Sequence, residues 1–283
     1  MPKAEEGEDA DAVDAALDVA SLFQVAGKVV LVTGGGSGIG AMIASGFVQC
    51  GCQVYIASRK DCSHYAAELT RKGPGSCFAR VCDVMVAEQR KALIDDLWKE
   101  AGKLHVLVNN SGTNLNVKLD KHTPETFNKV MDVNCNSVFD LTRLAAHLLE
   151  ASSTRDDPGR VINISSVNGL QAPIIDNFGY SASKAAIVML SKHLASALGP
   201  KHITVNTICP GPFYSRMTRG TIRAIGEDSF MNTALGRMGA PRDAAGCCIF
   251  LSSAAGSFLT GTEFAMDGGA LVARPSSSKV AKL

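Results

Sequence analysis

Seven short apolar runs, separated by longer stretches of helical period, leave this chain few ways to fold. The runs are Val29–Val32, Val54–Ala57, Phe78–Val81, Val106–Val108, Val161–Ile164, Val205–Ile208 and Phe264–Met266. They are rich in Val and Ile and apolar nearly throughout, not alternating, so both of their faces must be covered. That is the pattern of strands in a parallel sheet. Between most of them lie stretches whose apolar residues return every three or four positions: Glu88–Glu100, Pro124–Leu149, Ser181–Leu198 and Pro241–Leu251. Strand and helix in alternation predict a single α/β domain over residues 27–273, a doubly wound parallel sheet of about seven strands with helices on both faces. Ligands of such sheets bind at the carboxyl ends of the strands, near the point where strand order reverses.

The chain has 283 residues, 46% hydrophobic and 19% charged, which suits one domain with a large core. A net charge of +1 gives no general attraction to nucleic acid. No run approaches the roughly 18 apolar residues of a membrane span. Residues 1–26 form an acidic arm, with Glu5, Glu6, Glu8, Asp9, Asp11, Asp14 and Asp18 among alanines. It is expected to be flexible, with a short helix at Val13–Phe23. Its acidity argues against a secretory signal or an Arg-rich transit peptide. Residues 274–283 form a polar tail ending Ala281-Lys282-Leu283. That ending fits the small-basic-Leu pattern read by the peroxisomal import receptor, so the expected location is a peroxisome or glycosome, and otherwise the cytoplasm. Nine cysteines form no CxxC pair and no His/Cys cluster at zinc spacing, so they are expected as reduced, packed thiols and no metal is expected.

The first strand runs into Thr33-Gly34-Gly35-Gly36-Ser37-Gly38-Ile39-Gly40, followed by a helical pattern. Glycines permit a tight turn and let a phosphate approach the backbone, and a helix N-terminus offers free N–H groups to an anion. Glycines also mark ordinary turns, but the place between first strand and first helix points to phosphate binding in a Rossmann-type dinucleotide site. The spacing is Gly34, Gly38, Gly40, not GxGxxG. The second strand ends Ala57-Ser58-Arg59-Lys60. About 20 residues after the loop, a carboxylate would bind the ribose 2′-hydroxyl of NAD. Here Arg59 stands instead, and a guanidinium can pair bidentately with a 2′-phosphate. The expected cofactor is NADPH/NADP+, ahead of NADH.

Ser166 closes one strand, and Tyr180-Ser181-Ala182-Ser183-Lys184 opens a helix. Tyr180 and Lys184 are four apart and share one helical face. A free tyrosine, with a pKa of about 10, is a poor acid–base group near neutrality. A nearby ammonium is expected to lower it toward the useful range. Ser166 can hydrogen-bond a substrate carbonyl or developing alkoxide. The six histidines form no pair at metal spacing and read as surface or packing residues. Ser37, Ser165 and Ser181 lie within the motifs but outside the expected catalytic set.

With these residues in order, the chain resembles the classical short-chain dehydrogenase/reductases from about Gly27 to Val272. The Gly34–Gly40 loop matches the family's cofactor loop. Cys82-Asp83-Val84 matches its adenine-contacting segment. Asn109-Asn110-Ser111-Gly112 matches its NNAG motif, with Ser111 in place of Ala. Pro210-Gly211 matches the segment beside the nicotinamide, and Ser215 stands where a Thr often contacts the nicotinamide amide. Asn134, Ser166, Tyr180 and Lys184 match the catalytic residues. The resemblance implies hydride transfer from NADPH to a ketone, with Tyr180 protonating the oxygen and Ser166 orienting it. It further implies that Lys184 holds the cofactor ribose and that Asn134 anchors a water in the proton relay. Many NADPH-using members have a basic residue where Ser37 stands, so Arg59 must carry the preference alone. The segments RVINISSVNG, PGPFYSRMTR and LGRMGAP, and the 14-residue separation of Ser166 and Tyr180, are most similar to 3-oxoacyl-[acyl-carrier-protein] reductases of the rhamnolipid-biosynthesis type. The implied substrate is a 3-oxoacyl thioester on acyl carrier protein or coenzyme A. The alternatives are another ketone or aldehyde, or a catalytically silent cofactor-binding sensor. Arg216, Arg219 and Arg223 fall in the segment that caps the family's substrate cleft, where they would attract an acidic carrier protein or a coenzyme A phosphate, or form a solvated helix face. A homotetramer is the usual assembly.

Overall fold

Alternate residues of the central strands enter two different cores. Side chains on a strand point to opposite faces in turn. Val30 and Val32 of the first strand therefore join Ile43, Phe47, Ile56, Ile162 and Leu251 on one side, while Val29 and Leu31 join Leu97, Leu107, Leu148, Val161 and Val205 on the other. Burying each such side chain contributes about 1.5–3 kcal/mol, so neither face can be left uncovered.

A computed structural model describes residues 18–273. Its strands are β1 (Val29–Thr33), β2 (Gln53–Ser58), β3 (Ser76–Val81), β4 (Val106–Asn109), β5 (Gly159–Ile164), β6 (Ile203–Pro210) and β7 (Glu263–Met266). They form one parallel sheet in the order β3-β2-β1-β4-β5-β6-β7. The expected seven runs are these seven strands, with ends shifted by up to two residues. One face is covered by α2 (Gly38–Gln49), α3 (Ser63–Lys72) and α9 (Pro241–Ser252), the other by α4 (Ala87–Ala101), α6 (Ser137–Glu150) and α7 (Phe178–Leu198). The chain steps from β1 out to β3 and then returns to β4 on the other side of β1. The loops after β1 and β4 thus meet at the switch point. No helix among the described residues is long and apolar enough to cross a membrane.

Two expectations need correction or limit. The stretch Pro124–Leu149 is not one helix. It divides into α5 (Pro124–Met131), a π-helical turn at Asp132–Asn136, and α6. A π turn inserts one extra residue into the helical ladder, and such turns gather at functional sites. Here it turns Asn134 inward, where the side chain is 1% exposed. Of the helix expected at Val13–Phe23, one turn is described, α1 (Val19–Leu22), N-capped by Asp18 Oδ1, which accepts from Ala20 N at 3.1 Å. The rest of the acidic arm lies outside the described residues, as does the tail with Ala281-Lys282-Leu283. All nine cysteines are free thiols, and burial pushes Cys52 and Cys77 up to about 12, so they are poor nucleophiles.

Candidate active site

The site begins where β1 ends. Gly34 has φ +66°, a left-handed conformation that glycine adopts without strain, and its N–H donates to Ala57 O at 2.7 Å. A Cβ on Gly40 would lie 2.4 Å from both Asn110 Nδ2 and Gly34 O, so only glycine permits this packing of loop against helix. Ser37 is exposed at the N-cap of α2, and its hydroxyl caps nothing. The first amides of a twelve-residue helix, at Gly38, Ile39 and Gly40, are thus left for an anion.

The neighbouring strand ends complete a rim. Ser58 Oγ accepts from Gly36 N at 3.3 Å, which ties the end of β2 to the loop. Arg59 follows, exposed, with no ion pair among the described residues. After β3, Asp83 Oδ1 accepts from Met85 N at 3.0 Å, and Val84 is buried beside it. After β4, Asn110 N and Ser111 N both donate to Thr33 Oγ1 at 3.0 Å, and Asn110 Nδ2 donates to Thr33 O at 2.9 Å. Asn110 thus joins the β1 and β4 loops across the switch point. At the end of β6, Pro210 pairs with Met266, and Gly211 packs so closely on Asp267 that a Cβ would stand 2.7 Å from its Cα. Ser215 reaches back over the glycine loop, its Cβ 3.4 Å from where a Cβ on Gly38 would lie.

The four catalytic candidates gather at the ends of β4 and β5. Asn134 Oδ1 accepts from Thr113 N at 2.8 Å, and its Nδ2 donates to Thr113 O at 3.0 Å and to Ser183 Oγ at 2.9 Å. It therefore locks the post-β4 loop to α7. A Cβ on Gly112 would stand 3.3 Å from Asn134 Oδ1 and 3.6 Å from Lys184 Nζ, so all three meet. Lys184 is buried, and its Nζ donates to Ile164 O at 2.8 Å, at the end of β5. Ser165 Oγ donates to Lys184 O at 2.7 Å, fixing strand end to helix. Ser166 Oγ accepts from Asn168 N at 3.2 Å. Lys184 Nζ is 5.6 Å from the centre of the Tyr180 ring.

The electrostatics differ from the sequence expectation. Burial pushes the Tyr180 phenol up, and the Ser166 hydroxyl beside it only partly opposes this. Burial also pushes Lys184 down to about 8. Desolvation outweighs the influences that would lower the phenol, so its net direction is upward. Tyr180 accordingly keeps its proton through the neutral range.

Several positioning groups were not among the sequence candidates: Thr113, Ser183, and a buried ladder in which Asn109 Nδ2 donates to Asn163 Oδ1 at 2.9 Å and Asn163 Nδ2 to Ser191 Oγ at 2.8 Å. Small polar residues on the buried face of α7 were the available signal for Ser183 and Ser191.

A family model described as enoyl-(acyl carrier protein) reductase matches residues 34–270. The rhamnolipids biosynthesis 3-oxoacyl-[acyl-carrier-protein] reductase of Pseudomonas aeruginosa is 38% identical over 252 residues, 87% of this chain and 97% of that protein. The L-fucose dehydrogenase of Bos taurus is 35% identical over 254 residues, 87% of this chain and 90% of that one. The solved Pseudomonas aeruginosa RhlG/NADP active-site complex superposes with a TM-score of 0.84 at 37% identity, covering 88% of this chain and 98% of that one. The matched region runs from the glycine loop through β2 to β7 and takes in α2, the π turn and α7. The chain belongs to the short-chain dehydrogenase/reductase family of oxidoreductases.

Proposed function

We propose that the protein reduces a 3-oxoacyl thioester to its 3-hydroxyacyl form with NADPH. The observation that carries this reading is a half-buried Tyr180 that keeps its proton beside Ser166, in a chain similar over nearly its whole folded length to a 3-oxoacyl-[acyl-carrier-protein] reductase.

The residues present fit the cofactor. The uncapped start of α2 suits its pyrophosphate, and Arg59 suits the 2′-phosphate. Asp83 and Val84 would flank the adenine, Asn110, Ser111 and Gly112 the ribose side, and Pro210, Gly211 and Ser215 the nicotinamide. When bound, NADPH supplies the hydride. The protein supplies position and a proton. Ser166 and Tyr180 hold the ketone oxygen, and Tyr180 gives up its proton as that oxygen gains charge. An ammonium has three donors. Lys184 uses one on Ile164 O and has two for the cofactor ribose. Its charge near the phenol is worth most when Tyr180 becomes phenolate. Asn134 keeps the post-β4 loop against α7, and with it the distance between these groups.

The cleft walls support an acyl substrate. Leu170 and Ile174 on one side and Tyr214 and Met217 on the other are exposed apolar residues. Arg216, Arg219 and Arg223, all exposed in and beside α8 (Arg219–Ile225), support an anionic carrier. Exposed Phe139 on α6 and Met189 on α7 support a homotetramer, which a light-scattering mass of four chains would establish and a monomer mass would refute. The likeness to an L-fucose dehydrogenase favours a second reading, a reductase or dehydrogenase of other carbonyl compounds. A silent sensor would not need the four residues held together.

The test is oxidation of NADPH with acetoacetyl-CoA. Turnover is expected, and binding of NADPH without turnover of this or any ketone would favour the sensor. In the same assay Arg59→Asp is expected to weaken NADPH roughly ten- to hundredfold and to improve NADH, because a charge-assisted pair is replaced by repulsion. An unchanged preference would refute the role given to Arg59.

A further inference from the structure

Buried polar atoms without a partner are rare in folded proteins, and each calls for an explanation such as a ligand or an ion. Six atoms of the described residues are in this condition; Arg160 Nη1, Thr207 Oγ1 and Ser252 Oγ lie in β5, β6 and the helix before β7, whereas Asn114 Oδ1, His122 Nε2 and Asn177 Nδ2 all lie in the two segments that follow β4 and precede α7. These segments are held together by Val117 N, which donates to Asp176 O at 3.0 Å. His122 is the least informative, since its ring packs edge-on against Phe127 and Phe178.

Asn177 is 1% exposed. Its Oδ1 accepts from Ser181 Oγ at 2.8 Å, so the side chain is fixed, yet both protons of Nδ2 are unused. It is the N-cap residue of α7, with non-helical backbone, three positions before Tyr180. Asn114 follows Thr113, which Asn134 holds at 2.8 Å, so it too is one step from the catalytic group.

We propose that Asn177, with Asn114 on the neighbouring segment, forms a specificity subsite for a second polar group next to the reacting ketone. This deepens the 3-oxoacyl reading and rests on it. Ser166 and Tyr180 are both committed to the oxygen on C3. A 3-oxoacyl thioester carries another carbonyl at C1, and its oxygen takes the hydrogen bond from Asn177 Nδ2. Asn114 Oδ1 is an acceptor and takes an amide N–H, which the pantetheine arm offers on coenzyme A and on carrier protein alike. A simple ketone has neither group, so the subsite discriminates between the two kinds of substrate.

The experiment compares NADPH-dependent reduction of acetoacetyl-CoA and of cyclohexanone by the full chain and its variants. Asn177→Asp keeps the acceptor for Ser181 and replaces the donor with an anion. It is expected to raise KM for acetoacetyl-CoA roughly tenfold with kcat within about threefold, the size of one lost hydrogen bond. The ratio of kcat/KM for acetoacetyl-CoA over cyclohexanone should fall about as much. Asn114→Ala, at a half-buried position, should shift the ratio in the same direction and serves if the first variant does not fold. An unchanged ratio, or parallel losses on both substrates, overturns the proposal and leaves these atoms to water or to a structural role. If the unmodified protein reduces cyclohexanone and not acetoacetyl-CoA, the 3-oxoacyl reading itself fails, before any variant is compared.

Discussion

Tyr180→Phe is expected to lower kcat for ketone reduction by about 10²–10⁴-fold, the range for losing a general acid, with NADPH affinity within about threefold. The ring is kept, so the packing of α7 against the π turn and β5 is undisturbed, and only the acidic proton is removed. Burial holds the phenol above its ordinary value. In the reductive direction this is useful, because Tyr180 is fully protonated near neutrality and loses its proton only as the ketone oxygen becomes an alkoxide. The interaction is then made chiefly in the transition state, so its loss falls on kcat and kcat/KM alike. Initial rates, together with titration of NADPH fluorescence, separate chemistry from binding. A variant retaining normal rates would refute the mechanism.

Lys184→Met is expected to produce the second large effect, a fall of about 10²-fold or more in kcat/KM together with a changed pH profile. Burial pushes the Lys184 ammonium down to about 8. Below that pH the charge is present beside Tyr180, and above it the charge is lost. Reduction by the unmodified protein should therefore hold through neutrality and decline above pH about 8, as read in kcat/KM for the free enzyme. The variant should lack that break, and a break that persists would assign it to another group. Stability has the opposite sign. The folded value lies below the ordinary 10.5, so the unfolded chain holds the proton more tightly. Stability contributed by this group thus rises as pH climbs from about 8 to 10.5. At neutral pH the buried charge costs on the order of 3 kcal/mol. Met removes that cost, but it also leaves Ile164 O without its donor, a loss of about 1–3 kcal/mol. The two nearly offset, so the melting temperature should move little while activity collapses. A large fall in melting temperature would mean that Lys184 is chiefly structural.

The sheet was legible because its strands are written locally. Val29–Val32 or Val205–Ile208 are apolar on both faces, and only a strand covered on both faces needs that. The glycine loop was legible for the same reason. Its residues are consecutive, and the backbone constraint at Gly34 and Gly40 belongs to one tight turn. Tyr180 and Lys184 are four apart on one helix, so their common face follows from helical period alone. Pro124–Leu149 read as one helix because its apolar period barely changes across Asp132–Asn136. What breaks it there is a set of hydrogen bonds from Asn134 to Thr113 and Ser183, distant in sequence.

By itself, then, the amino-acid sequence determined the α/β class, the order of the elements and the place of the glycine loop, each of which depends on residues within a few positions of one another. Asn134 was singled out by resemblance to the family and not by its neighbours in the chain. The tertiary structure alone decided which way Asn134 points, that Asn177 and Asn114 each keep a buried atom unpaired, and how Tyr180 and Lys184 divide their charge. The Tyr180–Lys184 pair, with its glycine loop, promised a phenol lowered by an ammonium. In the folded protein burial acts on both groups at once, raising one and lowering the other. Burial is the sum of everything packed around a group, and residues far apart in the chain supply most of it.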